Sequence, residues 1–420
     1  MFDNTQQLQD QISLVKETIE KWIAEKRHAF QVKGILPPIY SSFDVRDSGS
    51  KVAIVDANVF PAGFNNLDEA SCIEAARYFH DFLFPIIRDQ EILLLPENHT
   101  RNLHYFSNIR ALINILTKGN FRITIGNPDE NAREEFRQVQ DTEGNVLILE
   151  RIYRNESKIF TSSFKKGMIL INNDLTLARP QILENIDHLI LPPLLLGWYN
   201  RRKGRHFRIF NNLIDELAEL CTFDPWFQVA LFTEVEGVNF SRDLGIEATA
   251  QAVGKLLDQI NQKYADHNIS EKPYVLLKDN SGTYGIGILS VESSEEIFNL
   301  PAKKRKKLIY GKQTKPITSL FLQEGIPTKY LVNKFAAEPV IYSVGNECIG
   351  GFMRANSIQG ARGNLNSRGM FFSQLPNTPL MAALQPKNKG GLSLYSMLCK
   401  ISNLAISYEL EEMISVKGFV

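Results

Sequence analysis

Between Tyr274 and Val291 the chain reads Y-V-L-L-K-D-N-S-G-T-Y-G-I-G-I-L-S-V. Lys278 followed by Gly282, Gly285 and Gly287 is a pattern that can hold phosphate. Glycines let backbone N–H groups converge and let the chain approach an anion without a Cβ in the way. A lysine at the loop's edge adds a point charge for the same group. Ser281, Thr283 and Tyr284 complete the candidate cradle. Tyr274 to Leu277 is an apolar run short enough for a buried strand, and Ile286 to Val291 reads as a returning strand. A P-loop would place its lysine last and enter a helix, and a dinucleotide fingerprint would also open a helix. Here the lysine comes first and a strand follows. The expectation is a strand–glycine loop–strand cradle for nucleotide phosphates; an ordinary hairpin with a glycine turn is the competing reading.

Other polar groups gather at what read as strand ends. Asp44, Arg46 and Lys51 precede the run Val52 to Val55, and Asp56 and Asn58 follow it. Charges of both signs beside a buried strand suit an amino-acid ligand, although a salt-bridged turn would look the same. Residues 96 to 102, P-E-N-H-T-R-N, crowd Glu97, His99 and Arg101 after the strand Glu91 to Leu95. Polar loops at strand ends are where α/β proteins place ligands. His99 and His104 lack zincin spacing, so no metal pair is expected there. Arg201, Arg202, Lys203 and Arg205 lie beside Trp198, Tyr199 and Phe207, as an anion site or a solvated connection. Ile317 to Gly325 looks like a strand ending in Gln323-Glu324. Arg354 ends another strand, and the following loop, Ala355 to Pro376, carries Arg362, Asn364, Asn366 and Arg368 between glycines. That density of forked donors and amides suits a mobile loop closing on phosphate.

The elements that must position these groups follow from periodicity. Thr5 to Ala29 reads as one amphipathic helix, with Leu8, Ile12, Val15, Ile19 and Trp22 on one face. Asp68 to Arg88 and Leu103 to Leu116 read as helices between strands at Val52 to Val55, Glu91 to Leu95 and Phe121 to Ile125. Residues 127 to 145 read as charged loop. Strands around Val146 to Tyr153 and Met168 to Ile171 close an N-terminal three-layer α/β lobe. Asn211 to Leu220 and Leu244 to Tyr264 read as helices before the cradle. Val340 to Ser343 and Cys348 to Arg354 read as strands joined by a tight turn, and an amphipathic helix ends the chain. The fold class is α/β, with α+β character in the nucleotide-binding part. The expected divisions are 1–190 for amino-acid binding, 191–330 for linker helices and the cradle, and 331–420 for the active-site loop and last helix.

Composition bounds the function. In 420 residues, 47 basic and 47 acidic side chains cancel, so nothing global favours nucleic acid or an anionic membrane as a partner. Lys303-Lys304-Arg305-Lys306-Lys307 reads as a solvated face. Cys72, Cys221, Cys348 and Cys399 are scattered, which fits reduced thiols in a cytoplasm better than a disulfide framework. The N-terminal stretch is polar, with no signal-peptide pattern, and no apolar run approaches the length of a membrane span. Small-molecule substrates are expected; oligomeric state is open.

Taken together, the motifs resemble a family. D-V-R-D-S-G-S-K-V-A-I-V-D-A-N-V-F-P-A-G-F-N-N-L, P-E-N-H-T-R-N, N-N-D-L-T, G-W-Y-N-R-R-K-G-R-H-F, K-D-N-S-G-T-Y-G-I-G, Q-E-G and R-G-N-L-N-S-R-G are similar to segments of the proteobacterial-type glutamate–cysteine ligases. R-G-N-L also looks like a stretch of bacterial glutathione synthetase, an ATP-grasp enzyme. The resemblance implies ATP-grasp-like subdomains after the N-terminal lobe. It implies ATP-dependent joining of L-glutamate to L-cysteine through a γ-glutamyl phosphate, the first step of glutathione biosynthesis. Lys278 and the glycine loop would then hold the ATP phosphates. Gln323 and Glu324 would read adenine or ribose, and Arg354, Arg362 and Arg368 would serve the γ-phosphate and acyl phosphate. Asp44, Arg46, Glu97 and Arg101 would recognise amino acids. Mg²⁺ is implied, but where such enzymes carry an acidic residue and then a Glu-x-Asn pair this chain has Asn364-x-Asn366 without the glutamate; Glu338 with Asn364 or Asn366 is the candidate set. A ligase with another acceptor, such as a glutathione synthetase-like enzyme, and a nucleotide-binding regulator without turnover are the alternatives.

Overall fold

The structure is a computed structural model that describes residues 4–416 except 88, 99–101, 284, 377–383 and 385–391, and the side chain of Gln313. The chain opens with α1 (Asn4–Leu14) and α2 (Lys16–Val32), then a hairpin of β1 (Tyr40–Asp47) and β2 (Val52–Asn58). Next come α3 (Glu69–Leu83), β3 (Glu91–Pro96), α4 (Leu103–Lys118), β4 (Arg122–Gly126), β5 (Phe136–Gln140) and β6 (Val146–Glu150). The short β7 (Tyr153–Asn155) and β8 (Lys158–Phe160) precede β9 (Met168–Asn172) and β10 (Ile190–Leu191). Then follow α5 (Lys203–Cys221), β11 (Phe232–Glu236), α6 (Ile246–Asp266), β12 (Val275–Asp279), β13 (Leu289–Val291), α7 (Glu295–Phe298), α8 (Ala302–Lys306) and β14 (Ser319–Glu324). Last come β15 (Tyr330–Val332), β16 (Phe335–Val344), β17 (Glu347–Asn356), β18 (Met370–Gln374) and α9 (Leu394–Val416).

Three sheets carry the architecture. One has the order β10-β9-β3-β4-β6-β5. Its strands run parallel except β5, which is antiparallel to β6. Parallel strands need covered faces, and α3 and α4 cover one of them with Phe79, Leu83, Ile109 and Leu112. Asp68 and Asn102 cap those helices by accepting from Ser71 N and Tyr105 N. The second sheet is antiparallel, ordered β18-β17-β16-β1-β2, so it joins residues 40–58 to residues 335–374. The expected first and third segments therefore share one sheet. The third sheet, β11-β14-β12-β13, packs Leu277, Leu320 and Leu322 on α6 through Val253, Leu256 and Ile260. Among the described residues no helix is long and apolar enough to cross a membrane.

Several boundaries differ from expectation, each for a local reason. The first helix is two, broken at Val15 (φ −108°, ψ 15°). Its apolar spacing reports a buried face that both helices share. The segment 127–145 contains β5, an edge strand with alternating exposure, and charged residues are what protect an edge. β18 likewise lies inside the expected loop 355–376 and pairs with β17. α5 starts at Lys203, eight residues earlier than expected from Asn211, so the basic cluster forms its first turn. The returning strand of the cradle is only β13, because positive φ at Gly285 and Gly287 bends the chain before it. α9 is not amphipathic: every residue from Leu394 to Cys399 is buried, the mark of a helix enclosed on all sides.

Candidate active site

The cradle is held from below by one side chain. Asn280, buried, donates from Nδ2 to Glu234 Oε2 (2.6 Å) and Ser319 Oγ (2.9 Å). Its Oδ1 accepts from Gly204 N (3.0 Å) and its carbonyl from Lys203 N (2.9 Å). The hairpin turn is thereby tied to the N-terminus of α5, which delivers Lys203. From above, the loop with the paired asparagines lies on Gly285, whose carbonyl accepts from Asn364 Nδ2 at 3.0 Å. A Cβ at Gly285, where φ is +67°, would stand 2.4 Å from Asn366 O. Glycine is needed there both for conformation and for close approach.

These elements line a cleft between the small sheet and the β1–β2/β16–β17 sheet. Its cations are Arg46, Lys203, Lys278 and Arg354, and its carboxylates Asp44, Asp56, Asp279 and Glu338. With four charges of each sign, the lining is neutral. Val55, Leu276, Ile288 and Ile326 form an apolar stretch, and Gly282, Gly285, Asn364 and Asn366 line the loop side. Antiparallel pairing sets Glu338 opposite Arg354, and Asp44 opposite Val340 on the same strand as Glu338.

The charges are buried and tightly paired. Arg354 donates to Asp44 Oδ2 and, at 2.9 and 2.5 Å, to Glu338 Oε1. Arg46 pairs with the other oxygen of Glu338. It also donates to the carbonyls of Ala361 (2.9 Å) and Gly363 (2.8 Å), so it anchors the active-site loop. Burial alone would raise the Glu338 carboxyl, but Arg46 and Arg354 outweigh it and hold the group below its usual range. For Asp44 burial wins over Arg354, and its carboxyl is raised. Lys203 Nζ meets Asp56 Oδ1 at 2.5 Å. Burial works against the Asp56 carboxylate, but Lys203 and then Lys278 lower its pKa on balance. Lys278 donates to Val55 O (2.9 Å) and Gln323 Oε1 (2.6 Å). Burial pushes its amine down to about 8, since a low-dielectric site disfavours the ammonium.

The cleft thus brings together Asp44, Arg46, Lys278, Gly282, Gly285, Glu338, Arg354, Asn364 and Asn366 from the expected site. Gln323 reaches it through Lys278, while its buried Nε2 has no hydrogen-bond partner. Glu324 is buried beside it, paired with Lys51 at 2.6 Å, and its Oε1 is likewise without a partner. Ser281 bonds back to Asp279 inside the turn, and Gly287 bends the chain at φ +76°. Thr283 is buried in the same turn. Arg362 is not in the cleft lining: it lies over the Tyr274 ring at 4.3 Å and pairs with Glu292 at 3.1 Å. Arg368 is exposed and also outside the lining. Glu97 is buried at the end of β3 with Lys312 as partner. Tyr284 and Arg101 lie outside the described residues. Sequence reasoning left Asp279 out of the site and marked Asp56 and Lys203 only as members of charged groups, with no role of their own. Lys203 was visible as one of four adjacent basic residues, but only the bond from its N–H to Asn280 singles it out.

The expected metal set does not fit a resident ion as placed. Glu338 gives each of its oxygens to an arginine. Among the described residues no group of three His, Cys, Asp or Glu side chains could hold a metal.

A family model described as glutamate–cysteine ligase matches residues 9–410. A solved structure assigned as γ-glutamylcysteine synthetase, from Methylobacillus flagellatus KT, is similar at 32% identity and a TM-score of 0.84, covering 97% of this chain and 96% of that one. The D-alanyl-alanine synthetase A of Vibrio cholerae O1 biovar eltor overlaps 76% of this chain and 80% of its own, at 9% identity and a TM-score of 0.32, too low to bear on the fold. No curated protein sequence matches the chain significantly. With nearly its whole length matched and its backbone shared with a structure at 32% identity, the chain belongs to the glutamate–cysteine ligase family.

Proposed function

We propose that the chain joins the γ-carboxyl of L-glutamate to the amine of L-cysteine, using ATP through a γ-glutamyl phosphate and releasing ADP and phosphate. The observation that carries this reading is the cleft itself. It sets a glycine hairpin and two lysines against a pair of buried arginines on another sheet. Phosphoryl transfer needs positioning and charge neutralisation more than a protein nucleophile, and such a cleft supplies both.

The roles follow from position. Leu276, Ile288 and Ile326 offer an apolar slot for the base. The unpartnered Gln323 Nε2 and Glu324 Oε1 are a donor and an acceptor for its polar edge, since buried polar atoms are normally satisfied. Lys278 and Lys203 take the phosphates. Arg354 and Arg46 hold the glutamate carboxylates and then the acyl phosphate, while Asp44 suits its ammonium. The third sheet would carry the nucleotide and the antiparallel sheet of β1 and β17 the glutamate.

A neutral lining does not neutralise a triphosphate. The charge balance favours a nucleotide that arrives with Mg²⁺ on its own phosphates, where the ion keeps water and phosphate ligands. The test is ADP release by the purified protein with ATP and Mg²⁺, adding glutamate and cysteine singly and together. Release that requires both, with a thiol dipeptide formed, is the expected result. Release with glutamate and glycine, or with γ-glutamylcysteine and glycine, in preference to cysteine would overturn the acceptor assignment.

A further inference from the structure

Acyl transfer to an amine has a requirement that the cleft does not meet. An amino acid arrives as an ammonium and must lose a proton before nitrogen can attack. The cleft carboxylates each have partners of their own: Asp44 and Glu338 the arginines that would hold glutamate, Asp56 the Lys203 ammonium, and Asp279 the Ser281 amide and hydroxyl. A different pair of carboxylates lies just beyond the cradle. Glu97 and Asp174 follow the adjacent parallel strands β3 and β9 and are 7% and 6% exposed. The chain leaves β3 toward β4 and leaves β9 toward β10, on the opposite side. This is a topological switch point, where open α/β sheets bind ligands outside the carboxyl ends of their strands.

The pair is built in place. Glu97 N donates to Tyr105 Oη (2.8 Å), which donates to Asn172 O (2.5 Å). Asp174 N donates to Glu97 Oε1 (3.3 Å), and Trp198 N to Asp174 O (2.9 Å). Lys312 bridges the two carboxylates, its Nζ lying 2.7 Å from Glu97 Oε1 and 3.1 Å from Asp174 Oδ2. That lysine comes from the connection between α8 and β14, so an ammonium from another part of the chain sits between the two acids. A second feature faces the same point. Thr283 of the cradle, 4% exposed, lies against Asp174, and its Oγ1 has no well-formed hydrogen bond. The cluster adjoins the cleft through neighbours in sequence that line it or pack on its lining. Thr283 follows Gly282, and Lys312 follows Gly311, where a Cβ would stand 2.6 Å from Asp279 Oδ2.

We propose that Glu97 and Asp174 bind the ammonium of the acceptor amino acid in the place that Lys312 occupies here, and that Asp174 takes its proton. This rests on the ligase reading above. The ammonium N–H proton passes to an Asp174 oxygen. The freed nitrogen lone pair forms the C–N bond at the acyl carbon. The C–O bond to the phosphoryl group breaks, and phosphate leaves with that electron pair and takes up the second nitrogen-bound proton. Burial raises the Asp174 carboxyl, Lys312 opposes this, and Glu97 adds to it, which suits a proton acceptor better than a free carboxylate would.

Hydroxylamine tests this, because it is largely uncharged near neutral pH and needs neither an ammonium site nor a base. Wild-type protein with ATP, Mg²⁺ and glutamate is assayed for ADP, with cysteine or hydroxylamine as acceptor. D174N is expected to lose about a hundredfold or more in kcat/KM for cysteine, the usual contribution of a general base. Its hydroxamate formation should stay within about twofold of wild type. K312A, which removes the competing ammonium, should lower the KM for cysteine. Equal losses with both acceptors, or an unchanged cysteine reaction in D174N, would overturn the proposal, as would a raised cysteine KM in K312A. Wild-type protein that makes neither dipeptide nor hydroxamate would instead sink the ligase reading.

Discussion

Lys278→Met removes the ammonium beneath the glycine hairpin, and its effect can be worked out from burial. The Lys278 amine is pushed from 10.5 down to about 8 by desolvation, with Asp56 partly restoring it. At pH 8 about half of the molecules then carry it neutral. Bound phosphates favour the charged form, so ATP binding at pH 8 should draw about half a proton from the buffer, and almost none at pH 6.5. Lys51 is also lowered to about 8 by burial. It is held by Glu324 and lies 4.0 Å over the Trp226 ring, off the cleft lining, so it should not contribute. Calorimetric titration with ATP, without amino acids and in two buffers of different ionisation enthalpy, reads the uptake directly. K278M should abolish it. The variant should also bind ATP about tenfold to a hundredfold more weakly, the loss of a charged hydrogen bond at about 1.5–3 kcal/mol. Uptake that persists in K278M would put the titrating group elsewhere. Unchanged affinity would remove Lys278 from the phosphate site.

Lys203→Ala should cut kcat/KM for ATP by about tenfold or more, since it removes a buried charged donor, whereas Arg368→Ala, at an exposed position outside the lining, should change it far less. Steady-state kinetics on the pair decides, and the reverse ranking would mean that the loop swings Arg368 inward during turnover. Gly285→Ala forces an L-residue into positive φ, costing about 1–2 kcal/mol. It also drives a methyl into Asn366 O, so activity should fall by more than the shift in thermal midpoint suggests. Glu409 accepts from Arg201 at 2.9 and 3.0 Å and contacts His206 at 2.6 Å. Burial would raise its carboxyl, but Arg201 and His206 bring it down to about 2, against 4.5 unfolded. A lowered carboxyl contributes stability that is present above pH 4.5 and is lost as pH falls toward 2, here about 3 kcal/mol. E409Q should therefore be less stable than wild type by about that amount at pH 7 in urea unfolding, with the deficit shrinking below pH 4.5. A deficit independent of pH would assign the loss to packing instead.

By itself the sequence determined what is local. The cradle, its lysine and its glycines were legible, because turn chemistry and phosphate binding are set by neighbours along the chain. So were α3, α4, α6 and the strands β3, β4 and β9, whose periodicity is strong. Individual positions such as Asp44, Arg46 and Arg354 could be singled out, because charges beside buried strands are rarely idle. Tertiary structure alone decided which of them meet. Antiparallel pairing of β1 with β16 across nearly three hundred residues puts Asp44 beside Arg354 and Glu338, and no local pattern encodes that register. The same pairing spends Glu338 on two arginines and so takes it out of the expected metal set. Arg362 and Arg368 had the right chemistry for the site, but the loop that bears them is pinned through its backbone carbonyls to Arg46, and its asparagines, not its arginines, face the cradle. Lys203 shows the opposite case: one of four adjacent basic residues in sequence, it becomes a cleft residue because a single buried asparagine, Asn280, fixes where its helix begins.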